Sequence, residues 1–305
     1  MSAQTFDPVW LAALRAQLDE PPLRPRVPLT WGTHLIGTVE PEFLEGISLR
    51  TSSIGQKLLS KEVHSGSVSW RVMGELTPSL AHIAQALREA KAGQVAADWR
   101  DEQLAVHAWP PVPPLRVGPP DGVKENSGAP GVFLDAGQLL GTVERGVVRP
   151  LGVATQAVHL VGRSHDGRFW VQRRSLTKAN DPGLWDTLMG GMVAASDTLD
   201  TALVRETWEE AGLRIGQMQQ LLWGGRMTQR APARGDGAGY VVEHTEWFHA
   251  VLPEGMVPIN QDGEVACFEL LERDALVARL HNNEFTTEAA LVWVAALSVV
   301  SDARA

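Results

Sequence analysis

The stretch from Gly191 to Leu213, GMVAASDTLDTALVRETWEEAGL, constrains this chain more than any other. Leu199, Leu203, Glu206 and Glu210 recur at i, i+4, i+7 and i+11, which lays two leucines and two glutamates along one stripe of a helix. The leucines require that stripe to face the interior. Carboxylates on a core-facing stripe are costly unless something positive neutralises them, and Glu209, one turn from Glu206, adds a third negative charge. The simplest neutraliser is a metal ion. Hard oxygen donors suit Mg²⁺ or Mn²⁺ rather than zinc, and the chain offers no His/Cys cluster that would argue otherwise. A bare ExxEE more often marks a solvated helix face, so the flanks decide between the two.

Those flanks have defined physical uses. Gly190 and Gly191 permit a tight turn before the helix, and Gly212 can end it in a left-handed cap. Arg205, adjacent to Glu206 and one turn before Glu209, can orient a carboxylate through a charged hydrogen bond. Taken together, Gly191, Arg205, Glu206, Glu209, Glu210, Gly212 and Leu213 occupy the fixed positions of a known signature, which the stretch closely resembles: the Nudix box. Two positions depart from it. Asp197 stands where the signature has Glu, keeping the charge but shortening the reach, and Thr207 replaces an aliphatic residue. The resemblance implies a mixed-sheet α/β/α sandwich in which Glu206, Glu209 and Glu210 bind the divalent metal that bridges a diphosphate, with a water attacking phosphorus.

Composition bounds the remaining possibilities. A chain of 305 residues with 44% hydrophobic and 21% charged residues is an ordinary globular protein with room for two domains. Its formal net charge of −9 argues against a nucleic-acid backbone as main partner, while a small anionic ligand held through metal remains compatible. The single cysteine, Cys267, and an opening segment without a basic and then apolar leader pattern predict a reducing cytoplasm. The longest apolar run, Ala289 to Val300, is too short to span a bilayer, so no membrane partner is expected and the run reads as a buried helix. Eleven tryptophans against one tyrosine are mostly core filling.

In chain order, Phe6 to Leu18 reads as an amphipathic helix and Leu29 to Val39 as β structure, with a new helix able to start at Pro41. Val68 to Val72 reads as a strand. Thr77 and Pro78 predict the N-cap and first position of a helix carrying Leu80, Ile83, Ala84 and Leu87 on one face. Residues from Trp99 lead into a strand, after which Pro110 to Gly131 holds seven prolines and four glycines and reads as a linker. This divides the chain into an N-terminal α/β domain, residues 1–125, and a hydrolase domain, residues 126–305. Leu35 to Glu40 echoes Leu139 to Glu144, an agreement short enough to be chance. Ala157 to Arg163, the turn Asp166-Gly167 and Phe169 to Arg173 form a hairpin. The cations Arg174 and Lys178 that follow can receive a phosphate, and Trp185 can flank an aromatic ligand. Leu221 to Arg226, Tyr240 to Val251 and Val265 to Leu270 read as further strands. Glu243, Glu246 and Glu264 are candidates for a further metal ligand or general base, with Glu264, at a loop-to-strand junction, the first choice.

Further short segments extend the likeness. Trp99-Arg100-Asp101-Glu102, Glu144-Arg145, Ala157 to Leu160, Arg173-Arg174-Ser175 with Lys178, Pro182 to Asp186 and Asp262 to Val265 are similar to the Nudix branch related to thiamine pyrophosphokinase. In that branch an N-terminal α/β domain precedes the hydrolase domain. The resemblance implies hydrolysis of thiamine diphosphate, preferentially of its oxo or oxy forms, to the monophosphate and phosphate. Nucleoside diphosphate sugars or dinucleotides are alternative substrates, and a Nudix-fold binding module without activity is an alternative of another class. Isopentenyl diphosphate isomerases share several of these segments but use a cysteine in the loop equivalent to Leu184 to Gly191, where this chain has none. The first domain is left with three roles: recognising the organic half of the ligand, covering the hydrolase, or forming a homodimer contact.

Overall fold

The computed structural model describes residues 6–45, 47, 57–90, 99–108, 124–125, 138–233 and 239–302. The expected linker, Pro110 to Gly131, lies outside the described residues except for 124–125.

The N-terminal part builds a four-stranded sheet. β1 (Val27–Trp31) and β2 (His34–Val39) form a hairpin, β3 (Leu59–His64) and β4 (Ser67–Val72) form another, and the two are joined by parallel pairing of β1 with β4. The predicted Leu29–Val39 run is therefore two strands, turned at Gly32, where φ is +56°. Helix α2 (Leu76–Ala90) starts one residue before Thr77, so Thr77 is not its N-cap; its hydroxyl instead accepts the Thr142 N–H at 2.9 Å. At Pro41 the chain makes only a turn. Leu80, Ile83, Ala84 and Leu87 of α2 are buried as their spacing predicts. They pack in a core that also takes Leu104 and Val106 of β5 (Gln103–His107), Val143 of β7 (Leu139–Glu144), and Val147, Val148, Leu151 and Val153. Residues on both sides of the expected linker thus share one core, and β5 pairs antiparallel with β7.

The second half is a helix–sheet–helix sandwich. Its mixed sheet runs β10 (Trp185–Asp186), β9 (Phe169–Arg174), β8 (Thr155–Ser164), β13 (Tyr240–Leu252) and β12 (Gln219–Pro232), with β6 (Lys124–Glu125) at the far edge. β11 (Met189–Met192) pairs with β8, and β14 (Val265–Leu271) with β9. β8 and β13 are parallel, and most other neighbours are antiparallel. Strand alternation sorts side chains between the two faces. Val158, Leu160, Phe248 and Ala250 pack under α3 (Leu199–Ala211), whereas Val161, Val171 and Trp247 pack under α4 (Arg273–His281) and α5 (Thr287–Asp302). Helix α5 contains the longest apolar run and buries Trp293 completely. No helix among the described residues is long and apolar enough to cross a membrane.

Helix α1 (Pro8–Ala16) packs on this second half. Leu14 joins the core under α5, and Trp10 sits edge-on to His281 at 4.7 Å. Asp7 caps α1 by accepting the Val9 and Trp10 N–H groups, and the chain leaving the helix is stitched to β12 by hydrogen bonds between Leu18, Glu20 and Arg230. Residues 17–20 are thereby fixed beside the sheet.

Candidate functional site

Helix α3 is set by its ends. The Thr198 hydroxyl accepts the Thr201 N–H at 3.2 Å while Thr201 accepts the Thr198 N–H at 2.8 Å, a reciprocal cap. Gly212 ends the helix at φ +63°. The loop between β13 and β14 satisfies carbonyls left open there: Ile259 donates to Ala211 at 2.7 Å and Gln261 to Glu209 at 3.1 Å. Ala202, Leu203, Thr207, Glu210 and Ala211 are the buried residues; of the stripe predicted from spacing, Leu203 and Glu210 face inward and Leu199 and Glu206 are half-buried at its edge. Thr207, standing where the signature is aliphatic, returns its hydroxyl to the Leu203 carbonyl at 2.6 Å and so leaves no unpaired polar group in the core.

The three glutamates are held differently. Glu210 lies one turn from Glu206 on nearly the same line, while Glu209, three residues on, is rotated to the flank. Glu210 is buried. Its Oε2 accepts from Gln172 Nε2 at 2.8 Å and from the Gly190 N–H at 3.0 Å, and its Oε1 faces Lys178 Nζ at 3.4 Å. Burial pushes its pKa up, opposed by Lys178 and by those donors. Glu206 packs against Gly191, where a Cβ would overlap its carboxyl group. Burial raises the Glu206 pKa to about 7, with Arg205 opposing and Glu210 and Glu209 adding repulsion.

Arg205 gathers the rest. Its guanidinium donates to Asp197 Oδ2 at 2.9 and 2.7 Å, to Glu206 Oε1 at 2.9 Å, to Glu209 Oε2 at 3.0 Å and to the Met192 carbonyl at 3.3 Å. The shorter acid at position 197 still reaches it. Burial works against the Arg205 charge, but Glu206 and Asp197 outweigh it and hold the pKa raised.

These groups open onto a cleft of about 150 Å³. Seven carboxylates line it (Asp181, Asp186, Glu206, Glu210, Glu243, Glu264 and Glu288) against four cations (Arg145, Arg149, Arg174 and Lys178). Such a surplus of negative charge, with the Glu206 and Glu288 pKa values both raised to about 7, is an environment that a cation would relieve. The donors are hard oxygens, so the residues fit a divalent ion of the Mg²⁺ or Mn²⁺ kind. Among the described residues, however, no three metal-ligating side chains converge on one point. Arg205 holds Glu206 and Glu209, and Lys178 holds Glu210 and Glu264.

Beside the cleft lies a basic recess, lined by Arg100, Arg145, Arg149, Arg174 and Lys178 with a single acid, Glu264. Arg174 is oriented by Asp186 Oδ2 at 3.1 Å and by the Asn180 carbonyl at 3.0 Å. Glu264 accepts from Lys178; burial alone would raise its pKa, but Lys178 outweighs it and holds the pKa low, which makes Glu264 a poor proton acceptor while that pair is intact.

Of the residues expected at the site, Arg174, Lys178, Gly191, Glu206, Glu210 and Glu264 line the cleft, and Arg205 and Asp197 stand behind it. Glu209 is 43% exposed and turned to Arg205 rather than into the cleft. Trp185 does not line the cleft either. It is buried in the core under α4 and α5, with the Arg279 guanidinium 4.6 Å over its ring, because strand alternation sends its neighbour Asp186 cleftward instead. Glu246 is absorbed by Trp223 and Arg226, away from the cleft, whereas Glu243 lines it. Glu288, His159 and Arg149 were not anticipated. A lone carboxylate heading the longest apolar run was a usable signal for Glu288; nothing local marks Arg149.

Comparison with known proteins agrees on this half of the chain. The NUDIX domain model matches residues 153–291. An uncharacterized protein of Saccharomyces cerevisiae is 27% identical over 166 residues, covering 50% of this chain and 48% of its own length. Nudix hydrolase 20, chloroplastic, of Arabidopsis thaliana is 31% identical over 135 residues, covering 43% of this chain and 35% of its own. An isopentenyl-diphosphate Delta-isomerase of Leifsonia xyli is 32% identical over 88 residues, covering 28% of this chain and 46% of its own. The chain thus spans half or less of the length of these relatives. The matched span, residues 153–291, contains the sandwich and the helix α3 signature, and is similar to a NUDIX domain over its whole length.

Proposed function

We propose that this protein is a metal-dependent hydrolase of a diphosphate-containing small molecule, and that the substrate is thiamine diphosphate or its oxidised oxo or oxy forms. The observation that carries the hydrolase reading is the juxtaposition of charge: an acidic cleft under Glu206 and Glu210 shares a wall with a recess of five cations. One side suits a divalent ion and the other the phosphates that such an ion would bridge. The thiamine assignment rests on the resemblance of short segments around both pockets, among them Trp99 to Glu102 and Glu144-Arg145.

In this reading Glu206, Glu210 and Glu209 would hold the ion, Glu209 being paired with Arg205 in this structure. The ion would supply charge neutralisation and lower the pKa of a water at neutral pH. Arg205, fixed by Asp197, keeps Glu206 oriented. Arg145, Arg174 and Lys178 steady the phosphates, and Glu243, on the cleft wall with Oε2 accepting from the Thr155 hydroxyl at 3.1 Å, accepts a proton. An isomerase of the isopentenyl diphosphate kind lacks its cysteine here, since Cys267 lies exposed on β14.

The test is phosphate release with Mg²⁺ from thiamine diphosphate, its oxo and oxy forms, ADP-ribose and NADH, beside Glu206→Gln and Glu210→Gln. Activity on the thiamine compounds that vanishes in both variants is the expected result. Activity on nucleotides alone would discard the substrate, and a folded protein silent on every compound would favour a binding module.

A further inference from the structure

A third recess adjoins the cleft and meets the basic one at Arg149 and Asn180. It encloses about 120 Å³, several times the roughly 10–15 Å³ that one water occupies by the same measure, which is room for a single heterocyclic ring. Arg149, Asn180, Asp181 and Glu288 belong to both the cleft and this recess, so the two share a wall. The far side comes from Gln17 and Glu20, the segment that α1 and its stitches to β12 hold against the sheet, and the floor from Gln229 of β12.

Its chemistry is that of an acceptor. Three carboxylates, Glu20, Asp181 and Glu288, face one guanidinium, and Arg149 donates to Asn180 Oδ1 at 2.8 Å. Gln17 Oε1 accepts from the Thr287 hydroxyl at 2.9 Å, which fixes that amide. Gln229 is 7% exposed, and its Oε1 has no hydrogen-bond partner. A buried amide oxygen left without a donor costs free energy, so a donor supplied from the recess would recover it. Burial and the neighbouring Glu243 also raise the Glu288 pKa to about 7, which an arriving cation would relieve.

We infer that this recess receives the organic half of the substrate and selects a positively charged nitrogen heterocycle with N–H donors, held by Glu288, Asp181 and Gln229 while the phosphates lie in the cleft. This rests on the hydrolase reading for the placement of the phosphates and narrows it: an anionic organic half would be repelled by the carboxylates, and a neutral one would leave their charge uncompensated.

The experiment titrates the full chain, without metal, with thiamine, a cation that carries no phosphate, and with thiochrome, its neutral oxidised relative, by calorimetry. Glu288→Gln and Asp181→Asn keep the side-chain shape, and position 181 at φ +49° accepts Asn readily; Gln229→Leu removes the open acceptor. The expected result is thiamine binding at least tenfold tighter than thiochrome, weakened about tenfold by each variant with a melting temperature no lower than the parent's, the loss in binding that follows removal of one charged or buried hydrogen bond. Equal affinity for the two compounds, no thiamine binding, or variants indistinguishable from the parent would overturn it. Thiamine binding that the variants weaken, in a protein that hydrolyses only nucleotides, would sink the substrate proposal and leave the recess standing. Hydrolysis of thiamine diphosphate with KM unmoved by all three variants would do the reverse.

Discussion

Asp197 Oδ2 receives two hydrogen bonds from the Arg205 guanidinium, at 2.9 and 2.7 Å, and the same guanidinium reaches Glu206 and Glu209. One acid outside the helix therefore sets the direction of the cation that orients two acids on it. Asp197→Ala should free Arg205 to collapse onto the glutamates. A charged hydrogen bond of this kind is worth about 1.5–3 kcal/mol. We expect kcat to fall about tenfold or more with only a small loss of thermal stability, and Asp197→Glu, the signature residue, to retain most activity. An Asp197→Ala enzyme with unaltered kcat would remove Asp197 from the site.

The raised Glu206 pKa has a stability consequence of definite sign. A carboxyl whose folded pKa is about 7 against an ordinary value of 4.5 keeps a proton that the unfolded chain releases, so stability is lost as pH rises from about 4.5 to about 7. The loss from this group alone is on the order of 3 kcal/mol. Glu210, Glu246 and Glu288 are shifted in the same direction. The metal-free protein should melt at a lower temperature at pH 8 than at pH 5, and Mg²⁺ should raise the melting point at pH 8 while doing little at pH 5. Melting curves at the two pH values, with and without Mg²⁺, check this; a Mg²⁺ effect equal at both would argue that the ion does not bind these carboxylates.

Much of this was legible in the sequence because the constraint is local. The spacing of Leu203, Glu206 and Glu210 fixes a helix face without reference to anything distant. Likewise the hairpin through Asp166-Gly167 and the apolar run of α5 follow from turn chemistry and length. What could not be read was contact between distant segments. Nothing near Thr77 says that its hydroxyl will serve Thr142 rather than cap a helix. Nothing near Trp185 says that Arg279 will cover it, and the meeting of Arg100 and Arg145 with Lys178 depends on β5 pairing with β7 across the proline-rich stretch.

The position of Trp185 separates a core residue from a ligand contact. It is 7% exposed and packed with Phe285 and Leu280, so Trp185→Ala should cost about 3–5 kcal/mol of stability through the cavity left behind. Trp185→Phe, which refills most of that volume, should restore folding and leave KM close to that of the parent. A raised KM in a fully folded Trp185→Phe enzyme would return the ring to the substrate site.

Arg100 and Arg145 offer the sharpest test of what the N-terminal part contributes. Both line the basic recess, Arg145 anchored by Glu102 Oε2 at 2.6 Å, and both add to the positive field that lowers the Glu264 pKa. Arg145 is anchored by Glu102 and Arg205 by Asp197, so the recess and the helix α3 cluster are oriented by different acids. Removing a phosphate-facing cation should therefore weaken ground-state binding more than the chemical step. Arg145→Ala and Arg100→Ala should each raise KM for a diphosphate substrate about tenfold and weaken competitive inhibition by inorganic phosphate to a similar extent, while kcat changes less than about threefold. Added salt should shrink the difference between parent and variants, because the contribution is Coulombic and partly exposed to solvent. If kcat fell and phosphate inhibition stayed constant, the recess would not hold phosphate, and the acidic cleft would have to find its anionic partner on another wall.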